Sequence, residues 1–347
     1  RVSLLRGDSV LNTQPLVVDA DGNFKTQLSI PADAVPGTHP VVVRASQPAA
    51  ATVLKLRVSP QLPLSGQAQF ATQSNKLVPG LYQSAYSAAS NAVFVTSAVG
   101  RPPVTQSQLL KLDPKSLKVT KAITPAQVPG STNGAVYAVY GVGVDDTNGN
   151  VWVTNTRQNS IAVYRQKELP AVTLESGVDD VKFTPMSLVL DEKGGKLFTV
   201  SIGTPEAAVI DVASSKVEKV IDLGNSISAS GVAFDAARNR LYVASQGTDN
   251  LLIVDVAAGK VLHDVPVGAG ALNVAFDDAS GLAYVSNRGA GTVTVVNGDG
   301  KVVANLDGGT LPNHVRADGK GNVFAVNKSR GAEDPKGDRI TRITPKQ

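Results

Sequence analysis

Short stretches in which apolar and polar residues alternate, each bounded by a turn, recur through most of this chain. In six of them an aromatic residue occupies the same place, soon after the turn and within the apolar run. These aromatics are Phe94, Trp152, Phe198, Tyr242, Tyr284 and Phe324, at spacings of 58, 46, 44, 42 and 40 residues. A period of this length, built from short strands, is typical of a β-propeller in which each repeat forms one four-stranded blade. The pattern therefore predicts an all-β protein.

Each repeat divides into four strand signals. In the clearest copy they fall at residues 230–235, 240–245, 251–255 and 260–267, with turn residues between them. A single blade cannot bury both of its faces, so the blades must pack against one another around an axis. The last repeat ends after three strand signals, and residues 68–72 supply a fourth strand that would close the ring and hide its edges. We count six blades, with seven as the alternative.

The first part of the chain has a different pattern. Residues 1–59 are predicted to form a separate small β module, 60–66 a proline-containing linker, and 67–347 the propeller. Strand signals in the module occur at residues 16–19, 24–30, 41–44 and 51–58. An Asp-Gly pair within residues 19–23 predicts a hairpin between the first two. The same residues begin like a calcium-binding loop, but the glutamate that completes such loops is absent, which favours the turn. Together these signals predict a sandwich.

Composition narrows the class without deciding the function. The chain is 42% hydrophobic and contains no apolar stretch long enough for a membrane span. The absence of cysteine excludes disulfides, thiolate metal sites and a cysteine nucleophile, but it does not identify the compartment. The net charge of +4 is shared between the two parts, so composition argues only weakly for nucleic acid. Because Arg1 begins within a strand-like run, we expect a mature or trimmed product.

Few residues are candidates for catalysis. The only histidines are His39 in the first module, His263 in an outer strand and His314 at the start of the last blade. Only His314 is expected near the axis, and no nucleophile elbow accompanies it. The sequence therefore predicts a protein that is not an enzyme, with no cofactor and no metal site.

A set of cations and amides follows the second strand of several blades. Propeller geometry places these loops on one face, where guanidinium groups and neighbouring amides would suit phosphate or carboxylate. The candidate ligand-binding residues are Arg101, Asn155, Arg157, Asn287, Arg288, Asn327, Lys328 and Arg330, together with His314. Acidic side chains in the last loop partly cancel this basic crescent, and solvated loop charges are the simpler interpretation. Since the blade aromatics are expected to pack between blades, few stacking surfaces remain, which counts against strong single-strand binding.

Two of the repeats contain variants of a known four-residue signature. Tyr242-Val-Ala-Ser and Tyr284-Val-Ser-Asn are close to Tyr-Val-Thr-Asn, and residues 82–123 and 312–320 resemble the first and last blades of YncE-like proteins. Residues 68–347 thus resemble the YVTN-repeat family of bacterial β-propellers. The resemblance implies a secreted, periplasmic, non-catalytic propeller of seven blades, with a link to single-stranded DNA. Residues 1–59 resemble an immunoglobulin-like module of bacterial surface proteins whose first strand is missing.

Three functions remain open from the sequence. The first is a non-catalytic binding or scaffold propeller of the bacterial envelope, at the periplasm or cell surface. Such a propeller would present its loop face to a protein or an anionic polymer, including single-stranded DNA. The alternative is a propeller hydrolase of the lactonase type that uses axial carboxylates or a metal. A third is a rigid spacer for oligomer or surface assembly, and the oligomeric state is left open.

Overall fold

Seven four-stranded antiparallel sheets account for the regular structure in the computed structural model of this chain. The structure describes residues 1–158, 160–166, 171–175, 185–214 and 216–346. They divide into two units, Arg1–Pro60 and Gln61–Gln347, the first with one sheet and the second with six. Within the described part, no helix has the length and apolar character needed to cross a membrane.

The first unit contains one sheet with the strand order β2-β1-β3-β4. Its strands are β1 (Val2–Arg6), β2 (Ser9–Val10), β3 (Gly37–Ser46) and β4 (Ala49–Val58). The strands predicted at 41–44 and 51–58 therefore lie within β3 and β4. Residues 16–19 and 24–30 are not strands, although the predicted turn forms between them, where the Asp19 carboxylate accepts backbone hydrogen bonds from Asp21 and Asn23. The described residues show no second sheet, so the predicted sandwich is not seen.

The second unit opens with a short 3-10 helix, Gln67–Gln69, and the strand β5 (Phe70–Lys76). Blade 1 consists of β6 (Leu81–Ser87), β7 (Ala92–Ala98), β8 (Ser107–Leu112) and β9 (Val119–Ile123). Blade 2 consists of β10 (Val142–Asp145), β11 (Asn150–Asn155), β12 (Ser160–Arg165) and β13 (Ala171–Glu175), with a 3-10 turn at Thr156–Gln158. Blade 3 consists of β14 (Pro185–Asp191), β15 (Lys196–Ser201), β16 (Glu206–Asp211) and β17 (Lys216–Asp222).

The remaining blades follow the same order. Blade 4 consists of β18 (Ala229–Asp235), β19 (Arg240–Ser245), β20 (Asn250–Asp255) and β21 (Lys260–Pro266). Blade 5 consists of β22 (Ala271–Asp277), β23 (Leu282–Asn287), β24 (Thr292–Asn297) and β25 (Val302–Asp307). Blade 6 contains β26 (Pro312–Ala317), β27 (Val323–Asn327) and β28 (Arg339–Pro345), and its fourth strand is β5. The structure thus has the six blades that were counted in the sequence.

The predicted closure by an N-proximal strand is confirmed. The outer edge of β28 pairs antiparallel with β5 in a continuous register from Arg339 opposite Lys76 to Pro345 opposite Phe70. Phe70 is buried and its ring lies edge-on to that of Tyr284, with 6.4 Å between the centroids. The backbone groups of β28 that would otherwise form an open edge are therefore paired by a segment from the start of the unit.

Of residues 60–66, predicted as a linker, all but Pro60 belong to the second unit. Ser65 and Asn305 exchange backbone hydrogen bonds, and the Asn305 side chain donates to the backbone carbonyl of Leu62. This stretch therefore lies along the outer edge of blade 5.

Apolar side chains form the junctions between blades. Five of the six repeat aromatics are buried, and clusters of buried residues join blade 1 to 2, 3 to 4, 4 to 5, 5 to 6 and 6 to 1. Trp152 is the exception, because it is 37% exposed on blade 2. Leu188 and Leu190 on β14 of blade 3 are also exposed, at 64% and 45%. The prediction that every blade aromatic packs between blades is therefore wrong at Trp152.

Candidate functional site

Loops from blades 5, 6, 1 and 2 meet at one face of the propeller. Arg288 follows β23 and Lys328 follows β27, whereas Tyr82 lies in β6, Tyr140 directly precedes β10, and Arg157 follows β11. These five residues form what we call the cation–tyrosine cluster. Each of these four blades contributes to it because, in every blade, the start of the first strand and the end of the second strand lie on the same face of the propeller.

Each cation of the cluster lies near an aromatic ring or a polar group that holds it. The Lys328 Nζ atom is 3.1 Å from the centroid of the Tyr82 ring, a close cation–π contact. The Tyr82 and Tyr140 rings pack edge to face, with 4.6 Å between their centroids. The Arg157 Cζ atom is 5.9 Å from the Tyr140 centroid, and its Nε donates to the Tyr140 hydroxyl at 3.4 Å. Arg288 donates to the Asn313 side chain.

Two of the three positive charges of the cluster, those of Arg288 and Lys328, are only partly hydrated, whereas Arg157 is exposed. Burial, and then the charge of Arg288, lowers the pKa of Lys328 to about 8, with Asp338 acting in the opposite direction. Burial also lowers the pKa of Arg288 and raises the pKa of Tyr82. Because Lys328 remains mostly protonated at neutral pH, an anion placed here would meet two cations whose own hydration is incomplete.

The structure brings together three of the cations that the sequence predicted, Arg157, Arg288 and Lys328. Arg330 lies close by, since it lines with Arg288 a shallow groove of about 360 Å³ between blades 5 and 6. Asp334 lies at the same groove, where its carboxylate accepts backbone hydrogen bonds from Arg330 and Lys336. Part of the positive charge in the groove is thereby offset.

Arg101 is not brought into contact with these cations. It is exposed on the long loop between β7 and β8, and within the described part of the chain its side chain has no hydrogen bond or ion pair. The same loop packs through the buried Val104 beside Tyr82 and Tyr140. Arg101 therefore belongs to a loop that borders the cluster.

The three predicted asparagines lie beneath the face. Asn155, Asn287 and Asn327 are all less than 5% exposed. The Asn327 side chain donates to the carbonyls of Thr310 and Lys336 and accepts from the Arg339 N–H, and Asn287 donates to two threonines of β24. They hold the loops that carry Arg157, Arg288 and Lys328, and their own side chains lie beneath the surface of the face.

Sequence reasoning missed the two tyrosines. Only loops after the second strand of each blade were searched, whereas Tyr82 and Tyr140 lie around the start of the first strand of blades 1 and 2. In a propeller the start of each first strand shares a face with the end of each second strand, and that alternation was the available signal. The prediction that stacking residues are few near the cations is wrong, because both rings are partly exposed between them.

His314 lies inside the propeller. First strands of the blades surround a central channel of about 400 Å³, and His314 on β26 lines it. The backbone N–H of Ser84 donates to His314 Nδ1 at 3.3 Å, and the Ser84 hydroxyl is also 3.3 Å away. Burial, and then the charge of Arg316, lowers the pKa of His314 to about 3. An imidazole with so low a pKa is a weak base at neutral pH, and Ser84 is only 1% exposed, so this pair does not fit a nucleophile with its base.

No protein-family model matches the chain. Among the solved structures that it resembles are a streptogramin B lyase and the virginiamycin B lyase of Staphylococcus aureus, at 13% and 12% identity, each with a TM-score of 0.46. They cover 81% and 79% of this chain, and 100% and 99% of their own. The proteins named YncE, described as uncharacterized, from Salmonella typhimurium and Salmonella typhi are each 25% identical over 312 residues. The chain is thus similar to YncE proteins over 76% of its length and 88% of theirs.

Proposed function

We propose that this chain is a non-catalytic binding protein of the bacterial envelope whose propeller presents the cation–tyrosine cluster to an extended anionic polymer such as single-stranded DNA. The observation that carries the proposal is the placement of partly exposed tyrosine rings between cations, with Lys328 over Tyr82 and Arg157 beside Tyr140. Proteins that bind single strands combine aromatic surfaces for the bases with positive charge for the backbone. The similarity to YncE proteins of Salmonella supports a bacterial protein, and the envelope location is carried over from the resemblance seen in the sequence.

Local arrangement, and not overall charge, supports this function. A net charge of +4 on 347 residues is too small for nonspecific attraction to dominate. In the cluster, however, burial lowers the pKa of both Arg288 and Lys328, and the charge of Arg288 lowers that of Lys328 further. A phosphate bound between them would offset the cost of keeping both partly buried groups charged, because opposite charges at close range stabilise the charged form.

The salt dependence of binding gives a quantitative test. Three cations that each neutralise one phosphate of a single strand predict a slope of about −2 in a plot of log affinity against log salt. Fluorescence anisotropy with a labelled oligothymidine, between about 50 and about 200 mM NaCl, measures this slope. The triple variant Arg157→Ala, Arg288→Ala, Lys328→Ala should bring it close to zero, and Tyr82→Leu should weaken affinity with little change in slope.

A matched control removes the same charge elsewhere. Arg165, Lys115 and Lys260 are exposed on other parts of the propeller, and their triple alanine variant should bind like the unvaried protein. Equal losses in both triple variants, or no loss in either, would contradict the proposed face. Turnover of a lactone or ester by the unvaried protein would favour the hydrolase alternative instead.

A further inference from the structure

Blade 6 departs from the other blades at one repeated position. In every blade the aromatic of the second strand is paired with one residue of the first strand. In blades 1 to 5 that partner is small or aliphatic: Ala85, Gly143, Val189, Ala233 and Ala275. In blade 6 it is Arg316, opposite Phe324. A charged side chain has thus replaced a small one at a position where the architecture of the blade does not require it.

Within the described part of the central channel, Arg316 has no counter-ion. It lines the channel together with His314, two residues earlier on β26. Its side chain keeps accessible surface, but that surface faces the channel, and burial among the surrounding blades lowers the pKa of Arg316. Among the described residues, no hydrogen bond or ion pair engages its guanidinium group.

Two of the three carboxylates that line the described part of the channel are held by other groups. Asp146 accepts hydrogen bonds from Ser87, Gln166 and two backbone N–H groups, and Asp318 accepts from Asn322 and Lys320. The charges that act on Asp278 are those of Asp235, Asp277 and Lys193. The guanidinium group therefore has no acidic partner within the described channel wall.

The side chain of His314, beside Arg316, is also a hydrogen-bond donor. Because the Ser84 N–H donates to His314 Nδ1, this nitrogen is the acceptor of the neutral ring, and the proton is assigned to Nε2. The described residues offer no partner for that Nε2–H. Residues two apart on a strand point to the same side, so the imidazole and guanidinium groups face the same part of the channel. Both groups require an acceptor.

We propose that Arg316 and His314 form a binding site in the central channel for a small oxyanion, a carboxylate or a phosphate. The planar guanidinium group matches two oxygens of either ion, and the imidazole N–H supplies a further donor. A channel of about 400 Å³ admits a small molecule but excludes a folded partner. The site goes beyond the proposed function, since it takes a different ligand at a different place from the cation–tyrosine cluster.

Calorimetric titration with succinate, inorganic phosphate and chloride at constant ionic strength tests the site. We expect succinate or phosphate to bind and chloride to bind much more weakly, because a spherical ion uses only part of the guanidinium fork. Arg316→Ala should weaken oxyanion binding by about tenfold to about a hundredfold, the usual effect of losing hydrogen bonds to a charged group. The comparison of the succinate and phosphate arms identifies the class of ligand.

The variants are chosen so that folding is preserved. Alanine occupies the position of Arg316 in blades 1, 4 and 5, and Asn273 occupies that of His314 in blade 5. His314→Asn should therefore fold normally, and we expect it to weaken oxyanion binding only a few-fold. Arg165→Ala, an exposed control, should leave oxyanion binding unchanged. Unaltered affinity in Arg316→Ala with a native circular dichroism spectrum, or no oxyanion binding by the unvaried protein at about 10 mM, would overturn the site. Oligonucleotide binding should be the same in Arg316→Ala, which separates this test from that of the loop face.

Discussion

Mild acid should destabilise the propeller unit through His314. The ordinary pKa of histidine is 6.5, and burial together with Arg316 lowers that of His314 to about 3 in the folded protein. The unfolded chain therefore takes up this proton first as the pH falls. Stability is fully present above a pH of about 6.5, declines below it, and stops declining near a pH of about 3, where the folded protein is protonated as well.

The size of the effect follows from the width of this window. Each pH unit below the pKa of His314 in the unfolded chain lowers the free energy of unfolding by about 1.4 kcal/mol. At a pH of about 5 the loss is therefore about 2 kcal/mol. The His314 side chain is only partly buried, so solvent screens part of the charge and we expect a loss of between about 1 and about 2 kcal/mol. For a domain of this size the melting temperature should fall by about 2 to about 6 °C.

Urea unfolding followed by far-UV circular dichroism measures the loss at a pH of about 7.5, 6 and 5, in buffers free of carboxylate and phosphate. His314→Asn provides the reference, because it removes the partly buried imidazole and introduces the residue that blade 5 has at the equivalent position. The two proteins share all other titrating groups, so the difference in their pH dependence belongs to His314. Arg316→Ala should keep most of the dependence, since burial is the larger cause. Identical pH dependence in the unvaried protein and His314→Asn would refute the reasoning.

Two further predictions concern the core of the blades. Tyr242→Phe should be neutral or stabilise the protein by up to about 1 kcal/mol in urea unfolding, because it removes a buried hydroxyl that has no hydrogen-bond partner. A clear loss of stability would show that the hydroxyl is in fact engaged. Phe70→Ala should destabilise by about 3 to about 5 kcal/mol, since it empties a buried site in the closing strand and removes the edge contact with Tyr284. Thr72→Ala, at an exposed residue of the same strand, should change stability by no more than about 0.5 kcal/mol, and equal effects of the two variants would contradict this account of the closure.

The repeats could be assigned from the sequence because each blade has the same local sequence pattern. Alternating residues and turn residues at a nearly constant period are local properties, so the six blades and the closing strand followed from them. The same reasoning failed where a strand needs a partner that the pattern does not contain. Residues 24–30 alternate as a strand would, yet in the structure they pair with no neighbour as a strand.

Trp152 shows the same limit within the propeller. It occupies the repeat position that is buried in the other blades, but in blade 2 it is 37% exposed. The alternation indicates which side of a strand is apolar, whereas burial depends on how closely the next blade approaches. That distance is a property of the assembled propeller.

For this protein, the all-β class, the period and the strand that closes the ring follow from the sequence, as does a count of six blades with seven as the alternative, because these features depend on neighbouring residues. The sequence also places Arg157, Arg288 and Lys328 on one face. What those cations contact depends on the assembled fold, because Tyr82 and Lys328 are distant in the chain and meet only where blades 6 and 1 adjoin. The isolation of Arg316 was likewise decided there, since a charge lacks a partner only with respect to everything that folding places around it.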